Sequence, residues 1–306
     1  MRLPRHLHIA IAAVLAVALV GAAFAVGAVI MLSSKKPAPA AVAAAVVLFP
    51  SAPSISPDSL LARAAIIYDP TDGRVLFAKD ADESLPLASL TKLMTAEVVL
   101  GNVSPDTMVT ITKEDLAPGG DWDGGLKLGD KVSVGSLLKI GLIASSNDAI
   151  TAAASAVGEG YVAKMNTEAA SMGLSKTRFF NPTGLDIDAN TAGAYGSVFD
   201  VARLAANFYA HYPQYFELTR NQSVSVERDG EQQLGTATAA PLLTTPGFIA
   251  AKTGYTDLAG GNLVALFDVE VGHPLVAVVL GSTRDGRFDD MLALIKAARA
   301  ADSKTL

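Results

Sequence analysis

Apolar residues follow one another without interruption near the N-terminus and become periodic only further along. The run from Ile9 to Leu32 contains 24 residues and no polar side chain. As a helix it would span about 36 Å, enough to cross the ~30 Å hydrocarbon core of a bilayer. Two arginines precede the run and two lysines follow it. This slight bias favours an N-terminus inside the cell and a body outside.

Two interpretations of this run stay open: an uncleaved membrane anchor and a cleaved signal peptide. Ala-x-Ala sites at 23–25 and 38–40 would suit cleavage, but the run is longer than the usual signal core of about 7–15 residues, which favours an anchor. Both interpretations export the body. We therefore expect a cytoplasmic tail over 1–8, an anchor or signal over 9–32, a Pro/Ala-rich tether over 33–57 and a folded domain over 58–306.

The periodicity beyond residue 58 predicts a mixed fold. Two β-rich runs, 65–68 and 74–77, flank a turn that ends in Asp-Gly, which predicts a hairpin. Apolar spacing predicts further elements. The predicted helices are 90–100, 131–143, 147–157, 161–172, 199–209 and 289–300, and the late strands are 248–252, 262–269 and 275–280. This order predicts an α+β fold in which helices cover an antiparallel sheet.

Charge and composition exclude several classes of protein. Residues 58–306 carry 20 basic and 30 acidic side chains, so the body is net acidic, which argues against a nucleic-acid partner. The chain has no cysteine and neither an H-E-x-x-H nor a G-x-S-x-G motif, so we predict no metal and no cofactor. A Ser-His-Asp triad would have to use His211 or His273, and neither lies in a recognisable setting.

A lysine is the remaining candidate for a general base, because burial or a second cation can lower its pKa. A serine and a lysine at i and i+3 share one helix face. Three pairs have this spacing: Ser33/Lys36 in the tether, Ser89/Lys92, and Ser136/Lys139. Ser89 opens a predicted helix after a proline, although an N-capping serine would suit the same position. Lys139 is expected to be a solvated charge.

Two further motifs follow Ser89 along the chain. Ser145-Ser146-Asn147 is the only S-x-N, and Lys252-Thr253-Gly254 is the only K-T-G. Alone, the first would suit a helix N-cap and the second a strand that runs into a turn. In this order, on a helix, a helix start and a strand, the three motifs are typical of penicillin-binding proteins and β-lactamases.

Between about Ala64 and Ile295 the sequence resembles the serine D-alanyl-D-alanine carboxypeptidases, low-molecular-mass penicillin-binding proteins of the S11 type. The matching stretches are PLASLTKLMT (86–95), LIASSNDA (142–149), KMN (164–166), FNPTGL (180–185), KTGYT (252–256), VVLG (278–281) and RF (287–288). Two features depart from the pattern: Ser146 stands where the family usually has glycine, and 247–251 lacks the usual Asp-Gly. Many relatives end in a β-rich domain and an amphipathic helix that attaches them to the membrane. We expect the N-terminal apolar run to provide the membrane attachment instead.

The resemblance implies a penicillin-binding/β-lactamase-like fold with an inserted helical subdomain, and an acyl-enzyme on Ser89 with Lys92 as its base. Ser145 would relay protons, Asn147 would orient the base, and Lys252 would be a second cation that keeps Lys92 neutral. The implied catalytic residues are Ser89, Lys92, Ser145, Asn147 and Tyr255. The backbone N–H groups of Ser89 and Tyr255 would form the oxyanion hole. The implied substrate-binding residues are Lys252, Thr253, Gly254 and Arg287, although Arg287 also suits an exposed arginine near a turn.

The implied function is that of an exported peptidase, held at the cell membrane by its N-terminal helix. It would remove the terminal D-alanine of peptidoglycan stem peptides and would be inhibited by β-lactam antibiotics. Three alternatives stay open. They are a D,D-endopeptidase that acts on cross-links, a β-lactamase, for which no clear deacylating glutamate is present, and an inactive tethered wall-binding protein.

Overall fold

A computed structural model of the chain describes residues 55–116, 125–228 and 231–302. The expected cytoplasmic tail, the apolar run 9–32 and most of the tether lie outside these residues, so those interpretations and the boundary at 58 stay predictions. Within the described ranges, no helix is both long and apolar enough to cross a membrane.

Twelve strands and seven α-helices occur in the described part of the chain. The strands are β1 (Ala64–Asp69), β2 (Arg74–Lys79), β3 (Leu85–Pro86), β4 (Met108–Thr110), β5 (Lys131–Ser133), β6 (Arg178–Phe179), β7 (Ala194–Gly196), β8 (Ser223–Arg228), β9 (Glu231–Thr236), β10 (Phe248–Thr256), β11 (Gly260–Glu270) and β12 (His273–Ser282). The helices are α1 (Thr91–Asn102), α2 (Val134–Ile143), α3 (Asn147–Ser155), α4 (Tyr161–Ser171), α5 (Val198–His211), α6 (Pro213–Phe216) and α7 (Gly286–Asp302). Short 3-10 helices cover Pro57–Ser59, Ala88–Leu90, Glu217–Arg220 and Ala240–Leu242.

The main sheet joins the two ends of the domain. Its strands run in the order β10-β11-β12-β1-β2, and every neighbouring pair is antiparallel. Successive residues of β1 enter different buried clusters: Ile66 shares one with Leu93 of α1, and Ile67 shares the other with Met291 and Leu294 of α7. Successive side chains of a strand point to opposite faces of the sheet. Since both sets are buried here, the sheet is apolar on both faces and each face packs against another layer.

The helical subdomain is inserted between β2 and β10 and contains α1 to α6. Helix α1 passes through the interior, since each of its residues from 91 to 99 is buried. The predicted hairpin, the predicted C-terminal strands and the helix-covered antiparallel sheet are all confirmed, with bounds that shift by a few residues.

The predicted helix over 131–143 is wrong in its first three residues. Lys131–Ser133 pairs with β4 as a strand. Lys131 is exposed, Val132 is buried and Ser133 is partly buried, an alternation that fits a strand rather than a helix. Helix α2 begins at Val134, where the Ser133 hydroxyl accepts a bond from Ser136 N at 3.3 Å. The β8–β9 hairpin and the two-residue strands were not predicted.

Candidate active site

The first site residue lies where the chain enters α1. Ser89 is in the 3-10 turn Ala88–Leu90, after Ala88 with a φ of 48°. Its hydroxyl accepts a hydrogen bond from Lys92 Nζ at 2.6 Å, and no side chain caps either this turn or α1. The interpretation of Ser89 as an N-cap is therefore wrong, and its Oγ faces the lysine one turn later.

Lys92 is an amine in the protein interior, with no exposed surface. Besides Ser89, its Nζ donates to Asn147 Oδ1 at 2.8 Å and to the Thr183 carbonyl at 3.2 Å. Burial lowers the pKa of Lys92 to about 7, because a low-dielectric surrounding disfavours the charged form. In about half of the molecules the Lys92 amine is then neutral at pH 7 and able to accept a proton.

The turn between α2 and α3 contributes the second group. Ser145 has a φ of 62°, and its hydroxyl accepts a bond from Lys252 Nζ at 2.8 Å. The next residue, Ser146, caps α3 by accepting from Ala149 N at 3.2 Å. The N-cap interpretation of this motif therefore holds for Ser146, while Ser145 and Asn147 contact the two lysines.

Strand β10 supplies the second buried amine. Lys252 Nζ also donates to the Thr253 carbonyl at 2.9 Å. Burial lowers the pKa of Lys252 well below its usual value, and the positive charges of Lys92 and Arg287 lower it further. The expectation was that Lys252 carries a positive charge that helps to keep Lys92 neutral, and a lowered pKa disfavours that charge. Burial alone accounts for the low pKa of Lys92.

Gly254 brings β10 into contact with the start of the serine turn. A Cβ at this position would lie 3.0 Å from the Leu87 carbonyl and 3.1 Å from Ser89 N. A side chain here would crowd both atoms, so the glycine lets β10 pack closely against the segment that carries the Ser89 amide. On β11, Asn262 Nδ2 donates to the Pro86 carbonyl at 2.8 Å and ties the same segment to the sheet.

Arg287 lies in the first turn of α7 and is 8% exposed. Its Nη1 donates to the Gly254 carbonyl at 2.7 Å, and its Nε has no hydrogen-bond partner among the described residues. The pKa of Arg287 is lowered to about 10, first by burial and then by the nearby Arg284, with Asp285 acting in the opposite direction. The alternative of an exposed arginine near a turn is wrong.

These groups surround a cleft of about 140 Å³. Its walls are Ser89, Ala144, Ser145, Asn147, Thr238, Thr253, Gly254, Tyr255, Arg284 and Arg287. Lys92 and Lys252 lie behind this surface, each bonded to a serine that reaches it. All nine predicted site residues therefore meet at one place.

Sequence patterns missed three contributors to the site. The Thr183 carbonyl binds Lys92, in a turn where Asn181 Oδ1 accepts from the backbone N–H of Gly184 at 2.7 Å. Thr238 shares a 2.7 Å hydroxyl bond with Thr253, and Arg284 stacks over Tyr255 at 4.9 Å from the ring centre. The matching stretch around Asn181 was the only signal for any of them.

Neither body histidine lines the cleft. His211 Nδ1 lies 3.4 Å from Glu97, and His273 Nε2 lies 2.9 Å from Asp69. A serine whose hydroxyl contacts a buried lysine amine, with a second serine and lysine beside it, is the arrangement expected of a serine hydrolase in which lysine replaces histidine as the base.

Known proteins share both the sequence and the fold. The profile of the peptidase S11 family, D-alanyl-D-alanine carboxypeptidase, matches residues 51–284. The carboxypeptidase DacC of Escherichia coli is 34% identical over 261 residues, which are 81% of this chain and 63% of that protein. A D-alanyl-D-alanine endopeptidase of Haemophilus influenzae is 34% identical over 69% of this chain and 72% of its own length. The chain thus spans less than two thirds of the length of the E. coli relative.

Solved structures agree. A D-alanyl-D-alanine carboxypeptidase from Mycobacterium tuberculosis superposes with a TM-score of 0.72 at 27% identity, over 78% of this chain and 91% of that one. Penicillin-binding protein D2 of Listeria monocytogenes, in its ampicillin-bound form, gives 0.69 at 28% identity, over 78% and 97%. The chain belongs to the peptidase S11 family of serine-type D-alanyl-D-alanine carboxypeptidases, and the expected penicillin-binding fold is confirmed.

Proposed function

We propose that this chain removes the terminal D-alanine from peptidoglycan stem peptides through an acyl-enzyme on Ser89. The observation that carries the proposal is the 2.6 Å bond between Ser89 Oγ and a buried lysine amine whose pKa is about 7. A lysine with its usual pKa of about 10.4 would be almost fully charged at neutral pH and unable to act as a base.

Acylation begins with proton transfer from Ser89 Oγ to the neutral Nζ of Lys92. The oxygen then attacks the carbonyl carbon between the two D-alanines, and the carbonyl oxygen becomes an oxyanion. The backbone N–H groups of Ser89 and Tyr255 stabilise the oxyanion by donating hydrogen bonds to it. The close packing at Gly254 supports this placement. Losing one such donor typically costs about 3–4 kcal/mol of transition-state stabilisation.

Collapse of the intermediate breaks the C–N bond. The proton that Lys92 took from Ser89 passes to the leaving amine through Ser145, which is bonded to Lys252, and free D-alanine departs. Thr253 and Arg287 line the cleft and hold the carboxylate of that residue, since hydroxyl and guanidinium groups donate to it. Lys92, neutral again, takes a proton from the water whose oxygen attacks the ester carbon. The ester C–O bond then breaks, and Lys92 returns that proton to Ser89 Oγ.

The test measures D-alanine release from a synthetic peptide that ends in D-Ala-D-Ala. Ser89→Ala should abolish release, and mass spectrometry should find a penicillin adduct on Ser89 in the unchanged protein. Ser136→Ala is the matched control, because Ser136 has the same spacing to a lysine, but that lysine is exposed. Full release by Ser89→Ala, or a penicillin adduct on another residue, would contradict the proposal.

Cross-link cleavage is the second candidate, because the Haemophilus influenzae relative is named an endopeptidase. Parallel assays on monomeric and cross-linked muropeptides separate the two activities, and Ser89→Ala should abolish whichever is present. A β-lactamase would instead turn over penicillin rapidly, whereas we expect a long-lived adduct.

We also propose that the domain acts outside the cytoplasmic membrane. The apolar run 9–32, with its flanking basic residues, supports this. Protease treatment of intact spheroplasts should digest the domain, whereas protection from protease would contradict export.

A further inference from the structure

One wall of the catalytic cleft carries a hydroxyl that no step of the proposed reaction uses, that of Thr238. The residue lies between β9 and the 3-10 helix Ala240–Leu242, is half-buried and faces the cleft. Its Oγ1 lies 2.7 Å from Oγ1 of Thr253, which is 3% exposed. Thr238 is therefore hydrogen-bonded to one of the two side chains that hold the substrate carboxylate in the proposed reaction.

Backbone bonds hold the segment that carries Thr238. The N–H of Thr238 donates to the Ile143 carbonyl at 3.1 Å, at the last residue of α2. The N–H of Ala237 donates to the Gln222 carbonyl at 2.9 Å. Neither bond involves the Thr238 hydroxyl, so removing that hydroxyl leaves both anchors of the segment intact.

The two hydroxyls share their protons in one of two ways. Each hydroxyl has one proton to donate, whereas a carboxylate only accepts. If Thr253 donates to Thr238, its proton is used and cannot reach a carboxylate. If Thr238 donates to Thr253, the Thr253 proton is available to the cleft, and accepting a bond also polarises that hydroxyl and makes it a better donor. A bound carboxylate therefore selects the second arrangement.

We propose that Thr238 is a positioning residue for the terminal carboxylate of the substrate and acts through Thr253. Its hydroxyl donates to Thr253 Oγ1, which directs the Thr253 proton toward the carboxylate. The inference rests on the proposed function, because it concerns how the departing D-alanine is held. That carboxylate is not part of the bond that breaks, so the contact stabilises the bound substrate and the transition state alike. The acyl-enzyme has lost that D-alanine, so deacylation does not depend on Thr238.

The first experiment measures steady-state D-alanine release by the purified full-length protein from a peptide that ends in D-Ala-D-Ala. Thr238→Val keeps the shape of the side chain and removes its hydroxyl. It should raise KM about three- to tenfold, the value of one net hydrogen bond, and leave kcat nearly unchanged. Thr238→Ser should restore most of the loss. Thr244→Val is the matched control, since Thr244 is exposed on the same segment, and should keep the original KM.

A double-mutant cycle with Thr253→Val tests whether Thr238 acts through Thr253. The double variant should then have the same kcat/KM as Thr253→Val alone, to within about twofold. Additive losses would show that Thr238 acts independently of Thr253 and would overturn the proposal. So would an unchanged KM in Thr238→Val, a loss confined to kcat, or no recovery in Thr238→Ser.

Penicillin labelling of Ser89 separates this inference from the function on which it rests. Labelling also counts the active sites in each variant, so a folding defect shows itself as a lower count. If the unchanged protein is labelled but releases no D-alanine, the proposed function fails by itself. The cycle is then measured as the rate constant of labelling, because penicillin also carries a carboxylate, and the same outcomes decide. Absence of both activities would overturn the inference together with the function.

Discussion

The rate at which Ser89 is acylated should follow the ionisation of Lys92. Burial holds the pKa of that amine at about 7, and only the neutral amine accepts the Ser89 proton. From the titration relation, the neutral fraction is about 9% at pH 6 and about 91% at pH 8. The second-order rate constant for acylation should therefore rise about tenfold over this range and level off above it.

A fluorescent penicillin, quenched at timed intervals between pH 5.5 and 9, gives this rate constant directly. Lys92→Arg should abolish labelling, because a guanidinium stays protonated, while Lys139→Arg should leave the profile unchanged, since Lys139 is exposed. A midpoint near the ordinary lysine value of about 10.4, or a flat profile, would refute the assignment of Lys92 as the base.

Lys252→Met separates the two causes of a low lysine pKa. If burial dominates, as the structure indicates for Lys92, the midpoint of the acylation profile should stay near 7 even where the rate falls. If repulsion from Lys252 dominated, the midpoint would move upward by a unit or more once that charge is removed.

Three further changes address stability. Between pH 7 and 10.5 the unfolded chain binds a proton at Lys92 that the folded chain does not, so stability rises with pH there, and Lys92→Met should raise the free energy of unfolding at pH 7 by about 1–4 kcal/mol in urea melts. Ser146→Ala removes the cap on α3 and should cost about 0.5–2 kcal/mol by the same melts while Ser89 labelling persists. Gly184→Ala would put a Cβ 1.8 Å from the Ala88 carbonyl at a φ of 79°, so thermal melts should show a loss of several kcal/mol and penicillin labelling should fall. Wild-type stability in Lys92→Met or Gly184→Ala, or lost labelling in a folded Ser146→Ala, would contradict these expectations.

Local spacing predicts the pairs that lie on one element. Ser89 and Lys92 are three residues apart on a helical path, so their contact follows from the pitch of the helix. The contacts of Lys92 with Asn147 and of Lys252 with Ser145 do not follow from local spacing. They join residues 55 and 107 positions apart, so they depend on how the sheet and the helices pack. The resemblance to a family predicted these long-range contacts, and the measured distances confirm that the four side chains meet.

Backbone groups and depth of burial are what sequence patterns could not supply. The Thr183 carbonyl that binds Lys92 has no side-chain signature, since every residue carries the same acceptor. The sequence left burial and a second cation open as causes of a low lysine pKa, and only the second could be assigned to a residue, Lys252, because a motif shows a nearby positive charge. Desolvation depends on the whole surrounding shell, so it becomes visible only once α1 is placed in the interior.

The two Ser-x-x-Lys pairs of the folded domain show why the motif alone decides nothing. Both pairs have the same spacing, but α1 crosses the core, whereas α2 leaves Lys139 on an exposed face. Ser136 shares a 3.0 Å bond with Ser133 beside the N-terminus of α2, while Ser89 contacts an amine of lowered pKa. Of the two lysines, the buried Lys92 has the lowered pKa that a general base needs. The lowered pKa of the candidate base therefore depends on the path of α1 through the core, and the motif becomes a catalytic candidate only where the fold buries its lysine.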